Sequence, residues 1–268
     1  MKYDPVKKVF GDIVSKNTFR RKTFYNLLDL LFLRSWHVRK AIRKFVPVGS
    51  TKDIFDAGMG FGQYTYFLAN RYKGANIFAV DVKDEQVEDC KYFFHKAGYD
   101  NCKFEVADLT TIDYKERFDF VLSVDVMEHI EEDELVFKNL ANSLKKGGLL
   151  LVNTPSNLGG SDAHSEDDES FIEEHARLGY SKEDITAKLD RAGMDVKHFS
   201  YSYGKYGTIS WKLVIKYPIL MAGASKIFIL LIPFYYLFTL WLGLILMWLD
   251  VVTENEEGTG VLVISEKR

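Results

Sequence analysis

The residues best arranged to hold a small ligand lie in one stretch, Asp53-Ile-Phe-Asp-Ala-Gly-Met-Gly-Phe-Gly-Gln63. A predicted strand ends at Asp56 and is followed by three alternate glycines and then a predicted helix. Glycine lets the backbone turn sharply and approach a ligand with no Cβ in the way. A dinucleotide loop needs a sixth-position glycine, where this sequence has Gln63. The Asp56 carboxylate disfavours a pyrophosphate but suits the amino group and sulfonium of a cationic cofactor.

Two more carboxylates follow the next two predicted strands. Asp81 ends the second strand, where a carboxylate can accept hydrogen bonds from both hydroxyls of a ribose. Asp108 follows the third strand and is in position to accept from an adenine amino group. Any single aspartate here has an alternative role as a helix cap or turn residue. Together with the glycine loop they favour a nucleoside with a positively charged substituent.

The elements that must position these groups are short apolar runs alternating with helical patterns. Strands are predicted at 53–57, 76–81, 103–107, 118–124 and 148–153, with helices at 63–72, 84–97 and 132–144. A helix at 181–192, with Ser181 and Asp184 in capping-box positions, precedes strand-like runs at 195–201 and 260–265. This alternation is typical of a parallel sheet covered by helices on both faces.

In this order the elements resemble the class I S-adenosylmethionine-dependent methyltransferases, over roughly residues 51–202 and the last strand. The resemblance implies an α/β, Rossmann-like, mostly parallel seven-stranded sheet with an antiparallel final strand, and S-adenosyl-L-methionine as cofactor. It assigns Asp56 and the glycine loop to the methionine end, Asp81 to the ribose and Asp108 to the adenine. The implied cofactor-binding residues are Asp56, Gly58, Gly60, Gly62, Asp81, Val82, Asp108, Leu109 and Ser123.

The segment after the fourth strand is Ser123-Val-Asp-Val-Met-Glu-His-Ile130. It resembles the ubiquinone-pathway O-methyltransferase subfamily, which has Glu-x-x-Glu-His here and is associated with a divalent metal. Asp125 replaces the first Glu, and Asp125, Glu128 and His129 form a ligand set suited to a cation such as Mg²⁺. The cyclopropane fatty acid synthases also have Glu-His here, so the motif identifies a region better than a chemistry.

Methyl transfer is an in-line displacement on a sulfonium, so the enzyme mainly orients the reactants and excludes water. A hydroxyl acceptor requires a base, for which His129 is the first choice, with Glu128 beside it. The alternative is that these two residues cap a helix and hydrogen-bond loops. The acidic stretch 161–175, with His164 and His175, forms another rim. It can bind a metal, gate the pocket, contact the basic N-terminal helix or act as a solvated lid.

The charge is unevenly distributed along the chain. Residues 1–52 carry 13 Lys/Arg against 3 Asp/Glu, a net charge of +10, while the remainder carries −13. Within this region, residues 24–45 have apolar side chains at helical spacing between basic ones, which predicts an amphipathic helix. Such a helix can lie in a lipid interface or cover the sheet or a pocket. The charge indicates an anionic partner, either lipid head groups or nucleic acid, unless the helix is simply solvated.

The apolar tract at 211–252 includes 23 residues, 227–249, without a charge. As a helix these extend about 35 Å, enough to cross a bilayer core. Because the tract precedes the final strand, one complete crossing would separate that strand from its sheet and leave backbone groups unpaired. We therefore expect a shallow insertion or a hairpin, bent near Pro218, Gly223 or Pro233. A buried core helix and a dimer interface are the alternatives.

The predicted organisation is an N-terminal basic helical region (1–50), a cofactor-binding domain (51–205), an apolar insertion (206–257) and a final strand (258–268). Cys90 and Cys102 provide no disulfide framework, which indicates a reducing compartment. Residues 1–20 are polar, so no secretory signal is expected. The predicted location is the cytoplasmic face of a membrane.

The leading hypothesis is a monotopic methyltransferase that O-methylates a lipophilic small molecule, such as a quinone precursor, a phenolic polyene or a lipid. Its other expected partner is membrane lipid with anionic head groups. Lipid C-methylation or cyclopropanation is the enzymatic alternative, and a non-catalytic cofactor-binding scaffold is the alternative of another class. Nucleic acid is not expected as a substrate, because no Asn/Asp-Pro-Pro-Tyr element follows the fourth strand.

Overall fold

The computed structural model describes residues 17–159 and 176–268. The acidic stretch predicted as a pocket rim, with His164 and His175, therefore lies outside the described residues. The strands are β1 (Asp53–Ala57), β2 (Asn76–Asp81), β3 (Cys102–Val106), β4 (Phe118–Val124), β5 (Leu144–Pro155), β6 (Met194–Ser202) and β7 (Gly260–Lys267). The helices are α1 (Thr18–Leu31), α2 (Leu33–Phe45), α3 (Gln63–Arg71), α4 (Asp84–Lys96), α5 (Asp133–Ser143), α6 (Lys182–Arg191), α7 (Lys205–Trp211), α8 (Tyr217–Ala224) and α9 (Lys226–Val252).

The seven strands form one sheet in the order β3-β2-β1-β4-β5-β7-β6. The first five strands are parallel, and β7 is antiparallel to both β5 and β6. This arrangement confirms the Rossmann-like fold predicted from the alternating pattern. The predicted cap of α6 is also present, because the backbone N–H of Asp184 donates to Ser181 Oγ at 3.1 Å.

The core has two apolar layers, one on each face of the sheet. Neighbouring strand residues point to opposite faces, so Ile54 belongs to one layer and Phe55 to the other. Helices α1 to α4 cover the first layer, and α5 and α6 cover the second.

Within the described part of the N-terminal basic region, residues 18–45 form two helices rather than the single helix predicted at 24–45. Phe32 separates α1 from α2 because its backbone is extended, with φ −100° and ψ 111°. The apolar side of the pair is buried in the core through Tyr25, Val38 and Ile42. These helices therefore cover the sheet, as one of the two sequence-based alternatives proposed, while several basic side chains of α2 stay exposed.

The apolar tract is a helical hairpin inserted between β6 and β7. Its first arm consists of α7, a π-helical turn (Lys212–Lys216) and α8, and its second arm is α9. The chain reverses at Ser225, close to Gly223, whereas Pro233 lies inside α9. Tyr235 Oη donates to the Leu213 carbonyl at 2.8 Å, and Tyr236 Oη donates to the Val214 carbonyl at 2.7 Å. These bonds join the arms at the π-helical turn.

The base of the hairpin is fixed to the rest of the chain by Asp250 of α9. This carboxylate is completely buried and accepts the backbone N–H groups of Gly207 at 3.0 Å and Tyr203 at 3.2 Å. Its Oδ2 also lies 2.9 Å from Nε2 of His37 on α2. One side chain thus links α9, α2 and the start of α7.

Candidate functional site

The predicted glycine loop lies where β1, β2 and β4 end side by side. The backbone N–H groups of Gly58 and Met59 both donate to the Val80 carbonyl, at 3.0 and 2.9 Å. Gly60, with φ +52°, donates its N–H to Asp81 Oδ2 at 2.9 Å. Since each oxygen of a carboxylate has two lone pairs, Asp81 holds the loop and keeps acceptor capacity for a ligand.

Gly58 brings the end of β4 against this loop. Its φ is +83°, in the left-handed region, and a Cβ added there would collide with the Val126 side chain. Only glycine meets both conditions without strain. The segment that follows β4 is therefore packed directly beside the loop.

Asp56 lies beneath the loop and is almost completely buried. Its Oδ2 accepts a hydrogen bond from Thr65 Oγ1 at 2.5 Å. Burial raises the pKa of Asp56 to about 7, the negative charge of Asp81 adds to this increase, and the Thr65 hydrogen bond opposes it. A cation bound nearby would stabilise the ionised carboxylate.

The other predicted cofactor residues differ in accessibility. Asp108 is exposed, and its Oδ1 accepts the N–H and the hydroxyl of Thr110, both at 2.8 Å. Asp108 therefore caps a turn, and within residues 17–159 and 176–268 its Oδ2 accepts no hydrogen bond, so this oxygen is available to a ligand. Val82 is exposed, whereas Leu109 and Ser123 are buried. Burial screens the Ser123 hydroxyl from the rim, so its cofactor contact stays a prediction.

Helix α1 supports the glycine loop from outside, a feature that sequence reasoning missed. Arg21 Nη2 and Tyr25 Oη both donate to the Phe61 carbonyl, at 2.9 and 2.5 Å. Arg21 also forms an ion pair with Asp89 of α4. Nothing in the sequence distinguishes Arg21 from its basic neighbours, because only packing turns it inward.

The three predicted metal ligands do not form a common site. Asp125, with φ +52°, forms an ion pair with Arg34 of α2. Glu128 is buried and its Oε2 accepts from Thr154 Oγ1 at 3.0 Å, whereas His129 is exposed. Within residues 17–159 and 176–268, no group of three or more His, Cys, Asp and Glu side chains is placed to hold a metal. The predicted Mg²⁺ site is therefore not supported.

A second set of polar side chains from distant parts of the chain lies around Arg34 and Ser35 of α2. The backbone N–H of Arg34 donates to Tyr203 Oη at 3.3 Å, and Tyr203, with φ +56°, follows β6. Tyr64 Oη lies 3.4 Å from Ser35 Oγ. Burial raises the pKa of both tyrosines, so their hydroxyls stay protonated at neutral pH. Arg34, Tyr64 and Tyr203 were not predicted, since no local pattern marks them.

Comparison with known proteins places this geometry in context. The model of a family described as "Methyltransferase domain" matches residues 49–193. (S)-Coclaurine N-methyltransferase from Papaver somniferum is 31% identical over 101 residues, covering 38% of this chain and 29% of that protein. Phosphoethanolamine N-methyltransferase 1 from Triticum aestivum is 30% identical over 151 residues, covering 54% of this chain and 26% of that protein. The chain thus matches less than a third of the length of either relative.

A solved structure extends the likeness to nearly the whole chain. Haemonchus contortus phosphoethanolamine N-methyltransferase 2, in complex with S-adenosyl-L-methionine, matches with a TM-score of 0.61 and 17% identity. The match covers 96% of this chain and 59% of that one. At this identity the likeness concerns the fold.

Proposed function

The chain belongs to the methyltransferase domain family, and we propose that it transfers a methyl group from S-adenosylmethionine to a lipophilic acceptor while seated on a membrane. The observation that carries the transfer chemistry is the loop at Gly58 and Gly60, tied to Asp81 above the ionisable Asp56. This arrangement combines backbone freedom with two carboxylates at one sheet edge. It fits a ligand that is both a nucleoside and a cation.

Different residues around the loop bind different parts of the cofactor in this proposal. When bound, S-adenosylmethionine supplies a methyl group on a positively charged sulfur. Asp56 provides the negative charge that favours the methionine end, and Asp81 provides acceptors for ribose hydroxyls. Asp108 retains an oxygen for the adenine amino group. Arg21 and Tyr25 stiffen the loop from behind through the Phe61 carbonyl.

We propose an oxygen atom as the methyl acceptor, with His129 taking its proton. His129 is exposed in a short 3₁₀ turn (Met127–His129) directly after β4, and the adjacent Val126 packs against the glycine loop. Imidazole has a pKa suited to proton transfer near neutral pH. Glu128 is buried against Thr154, so in this proposal it holds the turn in place instead of touching the acceptor.

A nitrogen atom is the second candidate acceptor. It is favoured by the names of the relatives, since both curated proteins described above are N-methyltransferases. An amine must be neutral to attack the sulfonium, so a base near the rim is useful in that case as well. The identity of the product distinguishes the two acceptors.

The membrane seat is supported by the outer surface of α9. Its apolar stretch Phe228–Val252 is 25 residues long, and only 6% of the most apolar 18 residues of this stretch is buried inside the chain. Phe238 is 78% exposed and Trp241 is 69% exposed. Contiguous apolar surface of this kind marks a membrane or protein contact. The hairpin returns to the sheet at β7, which is compatible with insertion from one side only.

The function is tested by incubating the full chain with methyl-labelled S-adenosylmethionine and either membrane lipid extract or aqueous extract. We expect label in a lipid-soluble product, and mass spectrometry then identifies an O-methyl or an N-methyl group. Absence of measurable affinity for the cofactor would overturn the assignment. A protease-protection assay that places the C-terminus on the non-cytosolic side would overturn the monotopic seat.

A further inference from the structure

A groove of about 760 Å³ lies between α1, α2 and the last turns of α9. This volume is in the range of small-molecule sites. One wall is basic, with Arg39, Lys40, Arg43 and Lys44 of α2, and the opposite wall is apolar, with Trp248 and Val252 of α9. None of the residues that line this groove has a role in the methyl transfer proposed above.

The basic wall has charge that the described residues do not neutralise. Arg39 pairs with Asp29 at 2.7 Å, and Lys40 donates to the Val251 carbonyl at the end of α9. Arg43 and Lys44 are exposed, and within the described part of the chain neither forms an ion pair. Two cationic side chains are therefore free to meet an anion at the mouth of the groove.

The apolar wall continues into the exposed face of α9. Trp241, Ile245, Trp248 and Val252 are all more than half exposed. Their spacing places them in one stripe along the helix. A ligand that enters the groove with an anionic head can thus extend apolar chains along this stripe. A free phosphate ion would use only the basic wall.

We propose that this groove binds the phosphate head group of an anionic phospholipid, with the acyl chains lying along the α9 stripe. The proposal rests on the membrane association proposed above and deepens it, because it names the class of lipid and the residues that recognise its head group. Lys and Arg side chains near an anionic membrane each contribute about 1 kcal/mol. Tryptophan is also favoured at the level of lipid head groups.

The best variant is the double charge reversal Arg43→Glu/Lys44→Glu. Arg39 is left intact because its partner Asp29 also accepts a hydrogen bond from Gln63 Nε2 at 2.8 Å, beside the glycine loop. Lys40 is left intact because it caps α9. Lys115→Glu/Lys146→Glu is the matched control, because both lysines are exposed and neither lines the groove.

Binding of the full chain is measured by co-sedimentation with two kinds of vesicle. One contains phosphatidylcholine alone, and the other contains in addition about 30 mol% of the anionic lipid phosphatidylglycerol. We expect the wild type and the control to prefer anionic vesicles by about tenfold or more, and the Arg43/Lys44 variant to lose that preference. Binding to phosphatidylcholine vesicles and cofactor affinity should remain, which shows that the variant is folded.

Other results of the vesicle experiment would contradict different parts of the proposal. If the wild type binds both vesicles equally, or if the Arg43/Lys44 variant keeps the preference, the head-group site is overturned while the membrane seat stands. If the wild type binds neither vesicle, the membrane seat itself fails. Competition by glycerol phosphate as strong as that by the lipid would identify a soluble phosphate ligand and overturn the lipid assignment.

Discussion

The carboxyl edge of the sheet and the helical hairpin use hydrogen bonds in opposite ways. At the sheet edge, the backbone N–H of Gly60 donates to Asp81, and this carboxylate keeps acceptor capacity for a ligand. In the hairpin, Tyr235 and Tyr236 join the two arms, and Asp250 fixes the base. From Phe228 to Val252, where the side chains of α9 are described, the exposed ones are all apolar.

This difference indicates what each region requires from outside the chain. The sheet edge has rigid polar groups with spare acceptor capacity, so it is completed by a small polar cation. In the hairpin, Tyr235, Tyr236 and Asp250 have hydrogen-bond partners within the chain, so an apolar medium is the environment we propose for the exposed apolar face of α9.

The largest effect is expected at the rim between the two regions. His129→Ala removes the proposed base, and we expect turnover to fall by about 10²- to 10⁴-fold. Cofactor affinity should not change, since the imidazole is assigned to the acceptor. Turnover and cofactor binding are measured on the same preparation.

His95→Ala is the matched control, because His95 is exposed on α4 away from the rim. Equal turnover in the His129 variant and the wild type would remove His129 from the mechanism. It would leave the methyltransferase assignment in place.

The next effect tests whether the hairpin needs an apolar medium. Phe238→Glu/Trp241→Glu should weaken binding to phosphatidylcholine vesicles by about 100-fold or more, because each large apolar side chain contributes about 1.5–3 kcal/mol when buried. Flotation of the vesicles measures the bound fraction. Cofactor affinity should stay unchanged.

Tyr92→Glu/Leu135→Glu provides the control, because these side chains are 53% and 41% exposed and lie on α4 and α5. It introduces the same charge outside the hairpin and should bind vesicles like the wild type. Equal loss in both variants would mean that charge alone weakens binding, and the contrast between the regions would fail.

A smaller effect tests the rigidity of the sheet edge. Gly58→Ala should weaken cofactor binding by about 30-fold, because a left-handed φ and a collision with Val126 together cost about 1–3 kcal/mol. Calorimetric titration measures the affinity. Gly74→Ala is the control, since a Cβ there meets nothing within 4 Å. Similar affinities in both variants would argue against a rigid loop.

The smallest effect concerns the charge of Asp56. Its pKa of about 7 in the free protein means that the carboxyl is mostly neutral at pH 6 and mostly ionised at pH 8. A cationic cofactor favours the ionised form, so its affinity should rise by about tenfold from pH 6 to pH 8. Titrations at both values measure the change.

Two variants sharpen this pH test. Asp56→Asn should abolish the rise, because no proton is exchanged at that position. Thr65→Val removes the hydrogen bond that lowers the pKa of Asp56, so the midpoint should move to higher pH. An unchanged pH profile in the Asn variant would show that another group controls the affinity.

Much of the sheet could be predicted because its pattern is local. The bounds of β1, β2 and β4 agree with the predicted ranges, since each is an apolar run followed by a turn residue. The N-terminal helix was predicted as one piece because the apolar spacing continues across Phe32. Only the extended backbone at Phe32 shows the break.

Sequence alone determined the sheet edge, with its glycine loop, the aspartates near the ends of β1 and β2, and the aspartate after β3. The reason is that parallel strands bring their carboxyl ends to one edge, whatever the details of packing. Only the tertiary structure decided three contacts of this site. Arg34 forms an ion pair with Asp125, Glu128 is buried and accepts a hydrogen bond from Thr154, and Arg21 donates a hydrogen bond to the glycine loop. These contacts depend on the direction in which each side chain points after distant helices have packed together. A short-range sequence pattern contains no information about that direction.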